Sequence, residues 1–103
     1  MQSKILKFTQ DRNWLQFHTP RNLAESISIE SAELLELFQW DKLPEASRVK
    51  EELADILIYA YQFCNISGWR VEEIMAQKLN QNEKKYPIEK FKGSNLKYDE
   101  YKP

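Results

Sequence analysis

Apolar residues along this chain recur three and four positions apart, not at alternate positions, and only a few short stretches interrupt them. The pattern predicts helices and no strand. A first helix is expected from about Ser3 to about Trp14, with Ile5, Leu6, Phe8, Arg12 and Leu15 forming a mixed amphipathic face. The segment Gln16-Phe17-His18-Thr19-Pro20 breaks it. Thr19 followed by Pro20 supplies an N-cap and first-turn pair for a second helix, from about Pro20 to about Trp40. Ile27, Glu30, Leu34 and Leu37 share one stripe of that helix, with Leu23 and Phe38 on its flank. Glu30 thus stands in line with core positions. After the break Asp41-Lys42-Leu43-Pro44, a third helix is expected from Glu45 or Ser47 to about Asn65. Ser67-Gly68 reads as its C-cap turn. A fourth runs from about Val71 to about Tyr86, where Pro87 stops it. Residues 88–103 are rich in Lys and Tyr and are expected to be irregular or partly disordered.

From Leu53 onward the third helix is apolar all round, which calls for burial on more than one side. One layer of so short a chain can hardly cover both faces. The fold expected is therefore all-α: one domain over residues 1–103, with a four-helix bundle at about 3–87, a tail at 88–103, and completion by oligomerisation.

Composition narrows the function. A net charge of −1 marks neither a general nucleic-acid binder nor an anionic-membrane binder. The single cysteine, Cys64, excludes an intrachain disulfide, fits a reducing compartment and reads as a small core residue. The N-terminus has no apolar signal core, and the longest apolar run, Leu53–Ile66, is too short and too interrupted to span a bilayer. A cytoplasmic protein is expected. Only Gly68 and Gly93 are glycines, so a Gly-rich phosphate-cradling loop is excluded.

The candidate chemistry lies in two acidic pairs, Glu30-x-x-Glu33 and Glu52-x-x-Asp55. Residues three apart share a helix face, so each pair presents two carboxylates side by side. A short linker should pack helices two and three antiparallel and bring the pairs face to face. Glu36 and Glu51 read as ordinary surface residues. Buried carboxylates are costly unless they are paired or bind a metal. No histidine follows either pair, as a di-iron bundle would require, and no cysteine cluster exists for zinc. An all-oxygen set favours Mg²⁺, with Mn²⁺ as the other choice, and Mg²⁺ prefers a few carboxylates plus substrate phosphates. Phosphoryl or nucleotidyl chemistry is the expectation. A carboxylate, Glu30 or Glu33, would be the general base. Lys78, Asn82 and Lys85 recur at i, i+4 and i+7 on one face of the fourth helix, where two cations and an amide can neutralise a departing pyrophosphate.

These residues resemble the all-α nucleoside triphosphate pyrophosphohydrolases of the MazG-like group, and among them the dCTP pyrophosphatase branch. Besides the acidic pairs, the resemblance rests on Arg12-Asn13-Trp14-Leu15-Gln16-Phe17-His18-Thr19-Pro20-Arg21-Asn22-Leu23 and on Glu33-Leu34-Leu35-Glu36-Leu37-Phe38-Gln39-Trp40. It rests also on Glu51-Glu52-Leu53-Ala54-Asp55-Ile56-Leu57-Ile58-Tyr59 and on Lys78-x-x-x-Asn82-x-x-Lys85-Tyr86-Pro87. It implies Mg²⁺-dependent hydrolysis of a deoxynucleoside triphosphate to the monophosphate and pyrophosphate, a preference among deoxycytidine nucleotides, and a role in cleaning the nucleotide pool. It implies metal ligation by Glu30, Glu33, Glu52 and Asp55, triphosphate contacts from Lys78, Asn82 and Lys85, and a base site of Trp14, His18, Trp40 and Tyr59. It implies dimers or dimers of dimers with shared sites. The linker between the acidic helices is shorter than in animal members of the branch, and the chain diverges beyond Pro87, which bears on base selectivity more than on chemistry. Phe38 and Phe63 are expected in the core, and Trp69 at a turn or interface. The competing reading is a non-catalytic, nucleotide-binding or regulatory helical oligomer of the same fold. Retention of all four acids argues against it.

Overall fold

The computed structural model of the chain describes residues 1–95; from residue 96 on, the expected tail lies outside the described residues. Among the described residues there are five α-helices and no strand. They are α1 (Gln2–Asp11), α2 (Pro20–Glu36), α3 (Ala46–Ser67), α4 (Val71–Lys85) and a single turn, α5 (Ile88–Phe91). Two 3₁₀ turns, Leu15–Phe17 and Gln39–Asp41, stand at the first two breaks. The chain divides into two compact units, Met1–Val71 and a second beginning at Glu72. None of the helices described is long and apolar enough to cross a membrane.

In the first unit α3 packs against both α1 and α2. Leu23, Ile5, Cys64 and Val71 are the buried apolar residues, joined by two buried polar ones, Thr9 and Gln62. Cys64 takes the core position expected of it, and burial pushes its thiol pKa up, so it is an inert thiol. Gln2 ties the start of α1 to the α3–α4 turn. Its Nε2 donates to the Trp69 carbonyl (2.7 Å), and its Oε1 accepts the free first-turn N–H of Val71 (2.9 Å).

The helix starts and stops have local causes. Thr19 Oγ1 accepts the Asn22 N–H (3.1 Å) and Pro20 occupies the first turn, so α2 begins where the sequence places it. Helix α1 stops at Asp11, short of the expected Trp14, because Asn13 turns left-handed (φ 56°). The Trp14 N–H then donates to the Thr9 carbonyl (3.1 Å) and the Asn13 N–H to that of Gln10 (2.9 Å). This is the Schellman pattern, with asparagine in the place usually held by glycine.

Helix α2 likewise ends at Glu36, not at Trp40. Leu37 and Phe38 donate three residues back, to Leu34 (3.2 Å) and Leu35 (3.0 Å), tightening the last turn. Trp40 (φ 65°) and Asp41 (φ 54°) then reverse the backbone. A left-handed tryptophan is strained by roughly 1–2 kcal/mol. Phe38 is half-exposed, not core, because the tightened turn rotates it off the packed stripe. Phe63 is part-buried and lies tilted against the ring of Trp69, 6.2 Å between centroids. In the second unit, α5 forms where irregular chain was expected: the Lys90 and Phe91 N–H groups both donate to the Pro87 carbonyl (3.1 Å), and Phe91 packs edge-on to Tyr86 (5.0 Å).

Gly68 (φ 73°) closes α3, and the Trp69 N–H donates to the Cys64 carbonyl (3.0 Å). A Cβ built there meets nothing within 4 Å, so substitution is penalised only by the backbone conformation. Gly68→Ala is expected to cost about 1–2 kcal/mol and to lower the melting temperature by roughly 4–16 °C, as read by circular dichroism.

Candidate metal centre and adjoining cleft

Helices α2 and α3 bring Glu30, Glu33 and Glu52 together: each offers a carboxylate oxygen, and all three oxygens lie within 4.8 Å of one another. Glu30 and Glu52 are part-buried and Glu33 is exposed. Buried Leu23 and part-buried Ile27 and Leu34 share this side of α2 and set the depth, because the face that packs inward carries Glu30 with it. Asp55 is exposed and outside the three-carboxylate set, yet its charge reaches Glu30. Position falls along α2 (Glu33, Glu30) as it rises along α3 (Glu52, Asp55), so the two helices run antiparallel, as the short linker requires.

The electrostatics are unfavourable for bare carboxylates. Desolvation, above all, pushes the Glu30 pKa up to about 7, aided by side-chain contacts with Glu33 and Glu52 and by the negative charges of Glu33 and Asp55. Glu30 Oε2 and Glu52 Oε2 are buried and find no hydrogen-bond donor. Converging hard oxygen donors, two of them orphaned, are what a divalent cation such as Mg²⁺ or Mn²⁺ satisfies, so these residues fit one.

A cleft of about 300 Å³ adjoins the acids and is lined by Phe8, Trp14, His18, Glu30, Asp55, Ile58, Tyr59 and Gln62. Its aromatic wall is built locally. The Schellman end of α1 delivers Trp14, whose ring meets Phe8 edge-on at 5.7 Å. The Arg12 guanidinium lies 3.7 Å over the same Phe8 ring and donates to the Phe8 carbonyl (3.1 Å). The loop carrying His18 is pinned by Asn22, whose Nδ2 donates to the Phe17 carbonyl (3.0 Å). Burial lowers the His18 pKa, favouring the neutral ring, and its Nδ1 has no partner.

Of the residues proposed from sequence for a base site, Trp14, His18 and Tyr59 meet in this cleft. Trp40 does not line it; it is 80 % exposed on the strained turn. Lys78, Asn82 and Lys85 lie on α4 in the second unit, Asn82 part-buried and both lysines exposed. Two features escaped the sequence reading. Gln62 belongs to the cleft, and a larger one, of about 520 Å³, puts Arg48 and Lys42 on the same walls as Glu33 and Glu52. The signal was present for α3: Arg48, Glu52, Asp55, Tyr59 and Gln62 follow one another at four, three, four and three residues, a single helix face.

An all-helical chain with a convergent carboxylate centre beside an aromatic cleft defines the class structurally. The comparisons agree: residues 25–101 match the MazG-like family, and the chain belongs to that family. It is 36 % identical to "dCTP pyrophosphatase 1" of Bos taurus over 89 % of its own length and 60 % of that protein, and 35 % identical to the Homo sapiens protein of the same name over 91 % and 61 %. The chain thus spans about three-fifths of the length of the curated relatives it matches. Among solved structures it resembles a pyrophosphatase from Archaeoglobus fulgidus, with a TM-score of 0.70 and 41 % identity over 82 % of this chain and 87 % of that one.

The raised Glu30 pKa has a sign that can be checked. Between its ordinary value of 4.5 and about 7, the folded state keeps a proton that the unfolded chain has released. Stability therefore falls as pH rises through that window, and the whole penalty is present above it. In metal-free protein, Glu30→Gln is expected to raise the melting temperature at pH 8 and leave it close to wild type below pH 4.5. Added Mg²⁺ should raise the wild-type melting temperature at pH 8 more than that of the variant.

Proposed function

We propose that this chain is a nucleoside triphosphate pyrophosphohydrolase with Mg²⁺ (or Mn²⁺) as cofactor. Its substrate is dCTP or a related, modified deoxynucleotide, cleaved to the monophosphate and pyrophosphate in cleaning the cytoplasmic nucleotide pool. The observation that carries this reading is the convergence of Glu30, Glu33 and Glu52 next to a cleft walled by Trp14 and Tyr59. It is supported by the relatives named dCTP pyrophosphatase 1 and by the pyrophosphatase of like fold.

In this reading Glu30, Glu33, Glu52 and Asp55 hold the cation. A bound divalent ion supplies positive charge against the phosphate oxygens and favours ionisation of water. The chain does the rest. Trp14 or Tyr59 stacks on the base, a contact worth ~1–3 kcal/mol in nucleic-acid binders. Neutral His18 hydrogen-bonds the nucleoside. Glu30 or Glu33 takes the proton of the attacking water as the bond between the α and β phosphates breaks. Lys78, Asn82 and Lys85 neutralise the departing pyrophosphate, which leaves with the electron pair of that bond.

The chain works as a homo-oligomer, a dimer or a dimer of dimers. Leu53 and Leu57 of α3 stand about half exposed in one chain, which supports their burial against a second copy. In such an assembly exposed Trp40 reaches the base site of a neighbouring copy.

A panel of deoxynucleoside triphosphates with Mg²⁺ and product identification tests the reading. Pyrophosphate and the monophosphate are the expected products. Orthophosphate as the first product contradicts it, and no product from any nucleotide leaves the non-catalytic binding oligomer. Glu33→Gln and Asp55→Asn are each expected to lower kcat by a factor of roughly 10²–10⁴ with the oligomer intact by sedimentation. Near-normal turnover in either removes that residue from the site. Trp40→Ala is expected to raise KM more than it shifts the melting temperature.

A further inference from the structure

Gln62 is 5 % exposed and belongs to the aromatic cleft, and its Oε1 is a buried acceptor without a donor. The orientation of its amide is fixed from behind. The Thr9 hydroxyl, 1 % exposed, has one hydrogen and gives it to the Ile5 carbonyl (3.0 Å), which can only accept. Thr9 Oγ1 is thereby left as an acceptor, and Gln62 Nε2 donates to it (3.3 Å). Turning the amide over would set the Thr9 oxygen against the Gln62 carbonyl with no hydrogen between them. The amide must therefore leave Oε1 unmatched. Gln62 follows Tyr59 by one turn on α3, so its side chain stands on the face that carries the flat ring.

We propose that Gln62 reads the base: its fixed acceptor selects a pyrimidine bearing an exocyclic amine at position 4 over one bearing an oxygen there. This deepens the function proposed above and rests on the cleft's being its base site. An exocyclic amine donates and satisfies the orphaned oxygen as the base enters. A 4-oxo group puts two acceptors together, and that mismatch in a desolvated site is what gives hydrogen-bonding sites their selectivity. Thr9 is a positioning residue, acting only through the amide it orients.

The test uses the full chain and the two product-like ligands dCMP and dUMP. Their affinities are measured by calorimetry for wild type, Gln62→Met and Thr9→Val, alongside pyrophosphate release from dCTP and dUTP. Wild type is expected to favour dCMP by roughly 10- to 100-fold. Gln62→Met is expected to bring that ratio near one. Thr9→Val frees the amide to turn and present its N–H, so it should shrink the ratio chiefly by improving dUMP, a change that loss of packing would not produce. If both folded variants keep the wild-type ratio, or if wild type shows none, the inference falls and Oε1 is met by water instead. Binding of neither nucleotide by wild type also overturns it. Discrimination that depends on Gln62 without pyrophosphate release would keep this inference and remove the catalytic reading. Release of pyrophosphate with a ratio indifferent to Gln62 would do the reverse.

Discussion

Like charge held at the α2–α3 interface is the constraint on which the rest of this molecule turns. Glu30, Glu33 and Glu52 crowd their oxygens within 4.8 Å. At an effective dielectric near 20, two full charges at that distance repel by about 3 kcal/mol, less where exposed Glu33 meets water. Packing imposes this cost, because the stripe that buries Leu23 and half-buries Ile27 also brings Glu30 inward. A proton on Glu30 relieves the cost below about pH 7; a divalent cation relieves it above. The strain of the metal-free interface and its fitness for a cation therefore have one cause.

The aromatic cleft depends on a different kind of constraint, the place where α1 ends. One more turn of helix would carry Trp14 round the axis and away from the acids. Left-handed Asn13 stops the helix, and Phe8, capped by Arg12, meets the indole edge-on. The same helix supplies Thr9, whose buried hydroxyl oxygen accepts from Gln62 and orients its amide. Helix α1 thus contributes a wall of the cleft as well as core, although it carries none of the carboxylates.

Much of this was legible in the residues themselves. The i, i+3 acidic pairs and the apolar stripe beside them gave the helix faces, and Thr19-Pro20 and Ser67-Gly68 marked helix ends where the structure has them. Less legible were the other two ends. Asn13 is a known substitute for glycine at a helix terminus, so the early stop of α1 had a signal that the apolar periodicity outweighed. The left-handed Trp40 had none, since intrinsic preference opposes it. Gln62 read as an interruption of an apolar run, because a polar residue in a core helix gains a meaning only once its partner, fifty-three positions away, is known.

Local chemistry, then, determined the helices, their inward faces and the identity of the candidate carboxylates, since periodicity, caps and oxygen donors act over a turn or less. Only the tertiary structure decided which of the four acids share a point in space, which aromatic rings face them, and which way the Gln62 amide lies. Those are matters of helix crossing and hydrogen-bond partners contributed by distant segments, and no stretch of sequence carries them alone.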